Sequence, residues 1–299
     1  MLLDVEHLTR YRYDSAVELA HHLAYLRPRD DGTQRLLRHE LQISPEPMHC
    51  ADSRDWLGNA RCCFSVDQPH RALEVRSLAR VRVDTTAPVD AADSLPWEAV
   101  REGLRYAAGR AFEPANEFVH ASPYVPTLAT LADWADGEFT PGRPVAELGI
   151  ALMRRVHREF TYRSASTAVD TPLADVLRRR EGVCQDFAHL LIGALRSRGL
   201  AARYVSGYLL TTPPGSGARA PWLGADASHA WVALWCPRAD GADARWLELD
   251  PTNDVVPTTG HVRLALGRDY GDVTPLRGVI RGGGAHRLEV RVRTEPVLA

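Results

Sequence analysis

In "RALEVRSLARVRVD", apolar Leu73, Val75, Ala79, Val81 and Val83 share one parity and the arginines fall mainly on the other, the pattern of a half-buried strand. The segments near residues 3–13, 18–26, 36–43 and 60–67 alternate similarly. Between them lie "RPRDDG", "SPEPM" and "DWLGNA", all rich in turn formers. Short strands at this spacing predict an antiparallel β-sandwich over residues 1–88.

At "DTTAPVDAADSLP" the composition shifts to a Pro/Asp/Ala/Ser linker, and the apolar spacing beyond it becomes helical. "WEAVREGLRYAAGRAF", "TLATLADWADGEF" and "VAELGIALMRRVHREF" predict helices. From residue 201 the strand pattern returns in "ARYVSGYLL", "HAWVALWC", "RWLELD", "HVRLALG" and "HRLEVRVRT". Helices and strands are segregated rather than alternating, so the fold class is α+β, with a second unit over residues 96–299.

Between these runs lies "EGVCQDFAHLLIGALRSRGL". Phe187, Leu190, Leu191, Ala194 and Leu195 follow helical spacing, Asp186 sits in the first turn, and Gly199 ends the pattern. Cys184 therefore falls at the helix start, where the dipole and free N–H groups stabilise a thiolate and can serve an oxyanion. A cysteine in that place is more often a packed thiol. Two further segments change the balance. "DASHAWVALWC" puts His229 at the start of one strand, and "RWLELDPTND" puts Asp250 at the end of the next. As antiparallel neighbours, those strands would bring His229 and Asp250 to one edge. They would supply the base a thiol nucleophile needs and the carboxylate that orients it.

Composition narrows the alternatives. The 299 residues carry a formal charge of −2, which favours neither nucleic acid nor an anionic membrane as partner. All 36 basic residues are arginine, so a lysine Schiff base, a P-loop lysine and a Ser-Lys pair are excluded. The five cysteines, at 50, 62, 63, 184 and 236, contain no CxxC pair and predict reduced thiols, with at least one of Cys62 and Cys63 in the core. "MLLDVEHLTRYRYDS" lacks the apolar run of a signal peptide, so the expected location is cytoplasmic. His21-His22 has no further ligand at metal spacing, and "RGGGAHR" reads as a turn rather than a phosphate loop.

The motifs "GVCQDFAHL", "YVSGYL", "DASHAWV" and "LDPTN" together resemble the transglutaminase-like superfamily of papain-like thiol enzymes in its bacterial form. The ends of the chain extend the likeness. "HLTRYRYDSAVELAHHLAYLRPR" with "DWLGNARCCFSV" is similar to the family's N-terminal sandwich domain, and "HVRLALGRDYGDVTPLRGVIRGGG" to its C-terminal extension. The resemblance implies a papain-like core with Cys184 as nucleophile, His229 as general base and acid, and Asp250 orienting His229. It implies action on a peptide or protein amide by hydrolysis or by transamidation, with no cofactor. The calcium dependence of the animal enzymes has no motif here, so no metal is expected.

Secondary candidates surround the triad. Tyr162 is a possible oxyanion donor or a half-buried core tyrosine, and Gln185 a cleft or solvated side chain. Trp231, sharing a strand face with Trp235, reads as core or cleft wall. Asp226 is read as a loop-holding residue, and the Pro/Gly-rich segment 211–225 as a cleft border or plain loop. "RRREG" before the cysteine departs from the family's usual small or acidic residues.

Overall fold

The structure, a computed structural model, describes residues 1–84, 91–109, 111–164, 166–211, 223, 228–238 and 245–297. Five strands come first: β1 (Leu2–Ala24), β2 (Gln34–Ser44), β3 (His49–Arg54), β4 (Ala60–Val66) and β5 (His70–Val83). The two short strands expected at 3–13 and 18–26 are one long strand, β1. Its pairing with β5 breaks register between Arg12 and Val17. Leu73, Val75, Ala79, Val81 and Val83 are all buried, as their shared parity requires.

The helical layer contains α1 (Trp97–Leu104), α2 (Ala129–Ala135) and α3 (Val145–Glu159). Helix α1 stops eight residues short of Phe112. Beyond Leu104 the apolar residues leave the core, Tyr106 and Phe112 being exposed, and Gly109 takes a positive φ of 80°. The chain continues through β6 (Thr161–Tyr162), α4 (Leu173–Arg179), β7 (Glu181–Gly182) and α5 (Cys184–Arg196). Helix α4 is too short to leave a periodic signature in sequence. The remaining strands are β8 (Ala202–Leu209), β9 (His229–Cys236), β10 (Arg245–Leu249), β11 (His261–Gly267), β12 (Leu276–Gly282) and β13 (His286–Pro296).

Strands β8 to β11 form an antiparallel sheet in the order β10-β9-β8-β11. Helix α5 is buried nearly all round. Its Leu190, Leu191 and Ala194 join Ala230, Val232 and Leu234 of β9 and residues of α3 in the main core. An α+β core with a helical layer on an antiparallel sheet is therefore present.

The N-terminal strand unit is closed by a single connected sheet of seven strands. The first half of β1 lies between β5 and β13, and its second half between β12 and β4. Phe64 and Val66 of β4 then meet Leu73 and Val75 of β5 across a common core. This corrects one expectation from the sequence. Residues 276–296, assigned there to the catalytic unit 96–299, pair with β1 instead, so the strand unit uses both ends of the chain. The hydrophobic pattern marks those residues as strands but carries no information on which sheet they join.

Candidate active site

Helix α5 begins at Cys184 because the preceding turn is tightly specified. Helix α4 ends at Arg180 in the left-handed region, φ 59°. That turn carries the chain into β7, which pairs in parallel with β6 and aligns Tyr162 with Gly182. The guanidinium of Arg180 lies 4.8 Å from the centre of the Phe160 ring and 3.2 Å from Glu159, which gives the unusual "RRREG" segment a packing role. Asp186 then reaches back: its Oδ2 accepts from the Val183 N–H at 2.9 Å and the Thr167 hydroxyl at 2.7 Å. Gly182 makes room for that carboxylate, since a Cβ there would lie 2.8 Å from Asp186 Oδ2. Cys184, half-buried, is left in the first turn, where backbone N–H groups have no intrahelical acceptor.

Strand β10 runs antiparallel to β9 with Leu249 opposite Val232, so its end reaches the start of β9. His229 Nε2 donates to Asp250 Oδ2 at 2.9 Å, and both residues are buried. The "DPTN" turn supplies most of the remaining hold on the carboxylate. Thr252 N and Asn253 N donate to Oδ1 at 3.0 and 3.2 Å, and Asn253 Nδ2 donates to Oδ2 at 2.9 Å. The last donor is one that sequence reasoning did not single out, His261, whose Nε2 lies 3.1 Å from Oδ2. Its signal was available, because it is a second histidine at the start of a strand.

Trp231 lies against both histidines, 6.0 Å from His229 and 5.2 Å from His261 between ring centres. It is fully buried, and its indole N–H donates to Glu248. Its role is a packed wall and not a stacking platform. Gly207 of "YVSGYL", paired with His229 across β8 and β9, explains how the ring fits. A Cβ at Gly207 would lie 2.4 Å from the indole and 2.2 Å from the Val262 carbonyl oxygen.

The other candidates fall into place less directly. Tyr162 is half-buried with its ring edge-on to Phe187 at 6.3 Å. Gln185 donates to the Val169 carbonyl at 3.0 Å, which pins the loop before α4 to the helix start. Trp235 lies at the far end of β9 and packs on Trp246. Of segment 211–225, Thr211 pairs with Thr294, and Leu223 N donates to Asn253 Oδ1. The rest of that segment, and Asp226, lie outside the described residues. Among the described residues no group of three or more His, Cys, Asp or Glu side chains is arranged to hold a metal ion, and no helix is long and apolar enough to cross a membrane.

Comparison with known proteins agrees with this geometry. The bacterial transglutaminase-like N-terminal region matches residues 3–82, and the transglutaminase-like superfamily matches residues 136–251, a span that contains Cys184, His229 and Asp250. An uncharacterized protein of Mycobacterium tuberculosis is 41% identical over 279 residues, covering 92% of this chain and 86% of that one. The chain belongs to the transglutaminase-like superfamily. A candidate cysteine protease from Cytophaga hutchinsonii shares the fold, with a TM-score of 0.74 at 20% identity over 100% of this chain and 92% of that one. A protein-glutamine gamma-glutamyltransferase of Pseudomonas aeruginosa is 29% identical over 143 residues, 46% of this chain and 20% of that one.

The electrostatics suit a thiol enzyme of this superfamily. Burial alone would pull the His229 pKa down, but the Asp250 carboxylate outweighs it and raises it, with a further upward push from Cys184. Burial would likewise raise Asp250, yet His229 and then His261 hold it well below the usual carboxylate range. Burial lowers His261, which keeps that ring neutral with its Nε2–H given to Asp250. Since Nε2 of His229 is engaged by Asp250, and Nδ1 has no other hydrogen-bond partner among the described residues, Nδ1 is the nitrogen available to the thiol. The arrangement favours a positively charged imidazole at His229, directly after Ser228, whose carbonyl oxygen lies 4.0 Å from the Cys184 sulfur.

Proposed function

We propose that this protein is a thiol hydrolase of peptide or protein amide bonds, working through a Cys184 thioester. The observation that carries the reading is the position of His229, bonded through Nε2 to buried Asp250 with Nδ1 unoccupied, directly after Ser228, whose carbonyl oxygen lies 4.0 Å from the Cys184 sulfur. In the first half-reaction the Cys184 sulfur attacks the amide carbonyl, and N–H groups at the start of α5 receive the oxyanion. Collapse of that intermediate breaks the C–N bond as the Nδ1 proton of His229 passes to the leaving amine. In the second, water attacks the thioester while Nδ1 takes its proton, and the acid and the free thiol are released.

A second reading replaces water by an amine and so yields a new amide. It is favoured by the similarity to the Pseudomonas aeruginosa gamma-glutamyltransferase. Both readings share the acyl-enzyme and differ in whether water or an amine enters the cleft. The proposed setting is cytoplasmic, with peptide or protein as substrate and neither nucleic acid nor membrane as partner.

Intact-mass analysis of the protein incubated with a peptide library, with and without a primary amine, tests both. Hydrolysis predicts an acyl mass on Cys184 that water discharges at a rate the amine leaves unchanged. Discharge accelerated severalfold by amine would move the assignment to transamidation. Absence of any acyl adduct, together with Cys184 alkylation by iodoacetamide no faster than in unfolded protein and insensitive to His229→Ala, would reduce the fold to a binding scaffold.

A further inference from the structure

A cavity of about 640 Å³ opens at the end of the core sheet remote from Cys184. Its wall includes Trp235, six residues along β9 from His229 and so about 20 Å away. Aromatic rings line it in sequence. Trp56 stacks on Phe118 at 6.1 Å, Phe118 meets Trp246 edge-on at 5.4 Å, and Trp246 lies 5.2 Å from Trp235. Phe112 stands exposed at the mouth.

The chain has built this wall with specific turn chemistry. Trp56 and Leu57 sit in the turn between β3 and β4, where Asp55 Oδ1 accepts from Leu57 N and Asn59 N and Gly58 takes a positive φ of 76°. Buried Asn59 then fastens the turn to β11, donating to the Leu266 carbonyl at 2.7 Å and accepting from Leu266 N at 2.9 Å. The exposed Trp56 is therefore held over the core sheet by a rigid support.

The cavity is also lined by a guanidinium whose hydrogen-bonding capacity is not used up. The Arg203 guanidinium lies 4.0 Å from the centre of the Trp246 ring, and its buried Nε has no hydrogen-bond partner among the described residues. Glu248, the carboxylate that acts on it most, is already engaged by the Trp231 indole and, at 2.6 Å, by Arg263. Asp31 is shared by Arg29 and Arg263. Arg203, itself half-buried, is thus left with the Trp246 face and no ion pair among the described residues, and its buried Nε has no acceptor. At the mouth, Glu113 gives one oxygen to Ala115 N and Glu117 is exposed, so a ligand with several negative charges would be repelled.

We propose that this cavity is a binding site for an aromatic monocarboxylate, separate from the Cys184 site, with the ring held among Trp56, Phe118 and Trp246 and the carboxylate on Arg203. The volume is within the range of small-molecule pockets, and a mostly apolar wall with a few polar groups is their usual makeup. A charge-assisted bond from a carboxylate satisfies the guanidinium where neutral groups do not.

Isothermal titration of the full chain with 2-naphthoate, 2-naphthalenemethanol and 2-naphthylmethylamine tests the assignment. The naphthoate is expected to bind at least about tenfold more tightly than the alcohol, with the amine weakest. Arg203→Met should bring the acid to the level of the alcohol, and Phe112→Ser, at an exposed position, should weaken it severalfold with Tm unchanged. Cys184→Ala should bind as the wild type does, which separates this site from the proposed enzyme activity. Absence of saturable heat with the naphthoate, equal affinity for acid and alcohol, or undiminished binding by Arg203→Met would overturn the proposal. Should Arg203→Met fail to fold, the acid-to-alcohol ratio and Phe112→Ser decide it.

Discussion

His229 and His261 share one oxygen: their Nε2 atoms lie 2.9 and 3.1 Å from the same Oδ2 of Asp250. One ring is driven toward its charged form and the other is held neutral: at His229 the Asp250 carboxylate, with a smaller push from Cys184, outweighs burial, while burial prevails at His261. The neutral ring is a fixed donor that stops the carboxylate from rotating away from the charged one.

His261→Phe keeps the aromatic volume beside Trp231 and removes the donor. Iodoacetamide labelling of Cys184 at neutral pH should slow severalfold, and unfolding in urea should show a loss of about 1–3 kcal/mol. Labelling at the wild-type rate would show that His261 contributes packing alone.

Asp250→Asn removes the charge that raises His229, so burial then governs the ring and its neutral form prevails. Cys184 labelling at neutral pH should fall by at least about tenfold. The variant should also be less stable by about 3 kcal/mol or more, because buried donors lose an ionic acceptor. Mass-spectrometric labelling rates and urea midpoints check the two effects separately.

Gly207→Ala places a methyl group 2.2 Å from a backbone oxygen that cannot yield and 2.4 Å from the buried Trp231 ring. The expected cost is about 2–3 kcal/mol, read from urea unfolding, and displacement of Trp231 should slow Cys184 labelling as well. A neutral substitution would show that β8 and β11 can separate at this point.

Acid should destabilise the fold well above the usual carboxylate range. His7, His22 and His189 have pKa values pulled down to about 4, in each case chiefly by burial. Their native values lie below the ordinary 6.5, so their contribution to stability is complete above that pH and is lost as pH falls toward 4. Asp186, raised by burial, acts in the opposite sense at the lower end of this window. The raised pKa of His229 contributes stability that is present below about pH 6.5 and declines as pH rises through the native value. Calorimetry should show Tm falling by on the order of 10 °C between pH 7 and 4.5. A flat profile would contradict the buried neutral state of these rings.

Much of the candidate site was legible because its residues lie at the ends of elements that the local pattern marks. Cys184 is marked by the helical spacing that begins after it, and His229 and Asp250 by the ends of strands whose alternation is plain in the sequence. The two residues around them that were harder to read, His261 and Gly207, matter through contacts across strands. A histidine at a strand start looks the same whether it faces solvent or a buried carboxylate.

The chain by itself determined the strand and helix periodicities, the order of Cys184, His229 and Asp250, and an arginine-only basic set that excludes lysine chemistry. Tertiary structure alone decided that β12 and β13 join the sheet of β1, that two histidines converge on Asp250, and that Arg203 lies over Trp246 with its Nε unpartnered. The physical reason is the same in each case. Periodicity reports which face of an element is buried, whereas sheet pairing and charge balance depend on what other parts of the chain bring to that face.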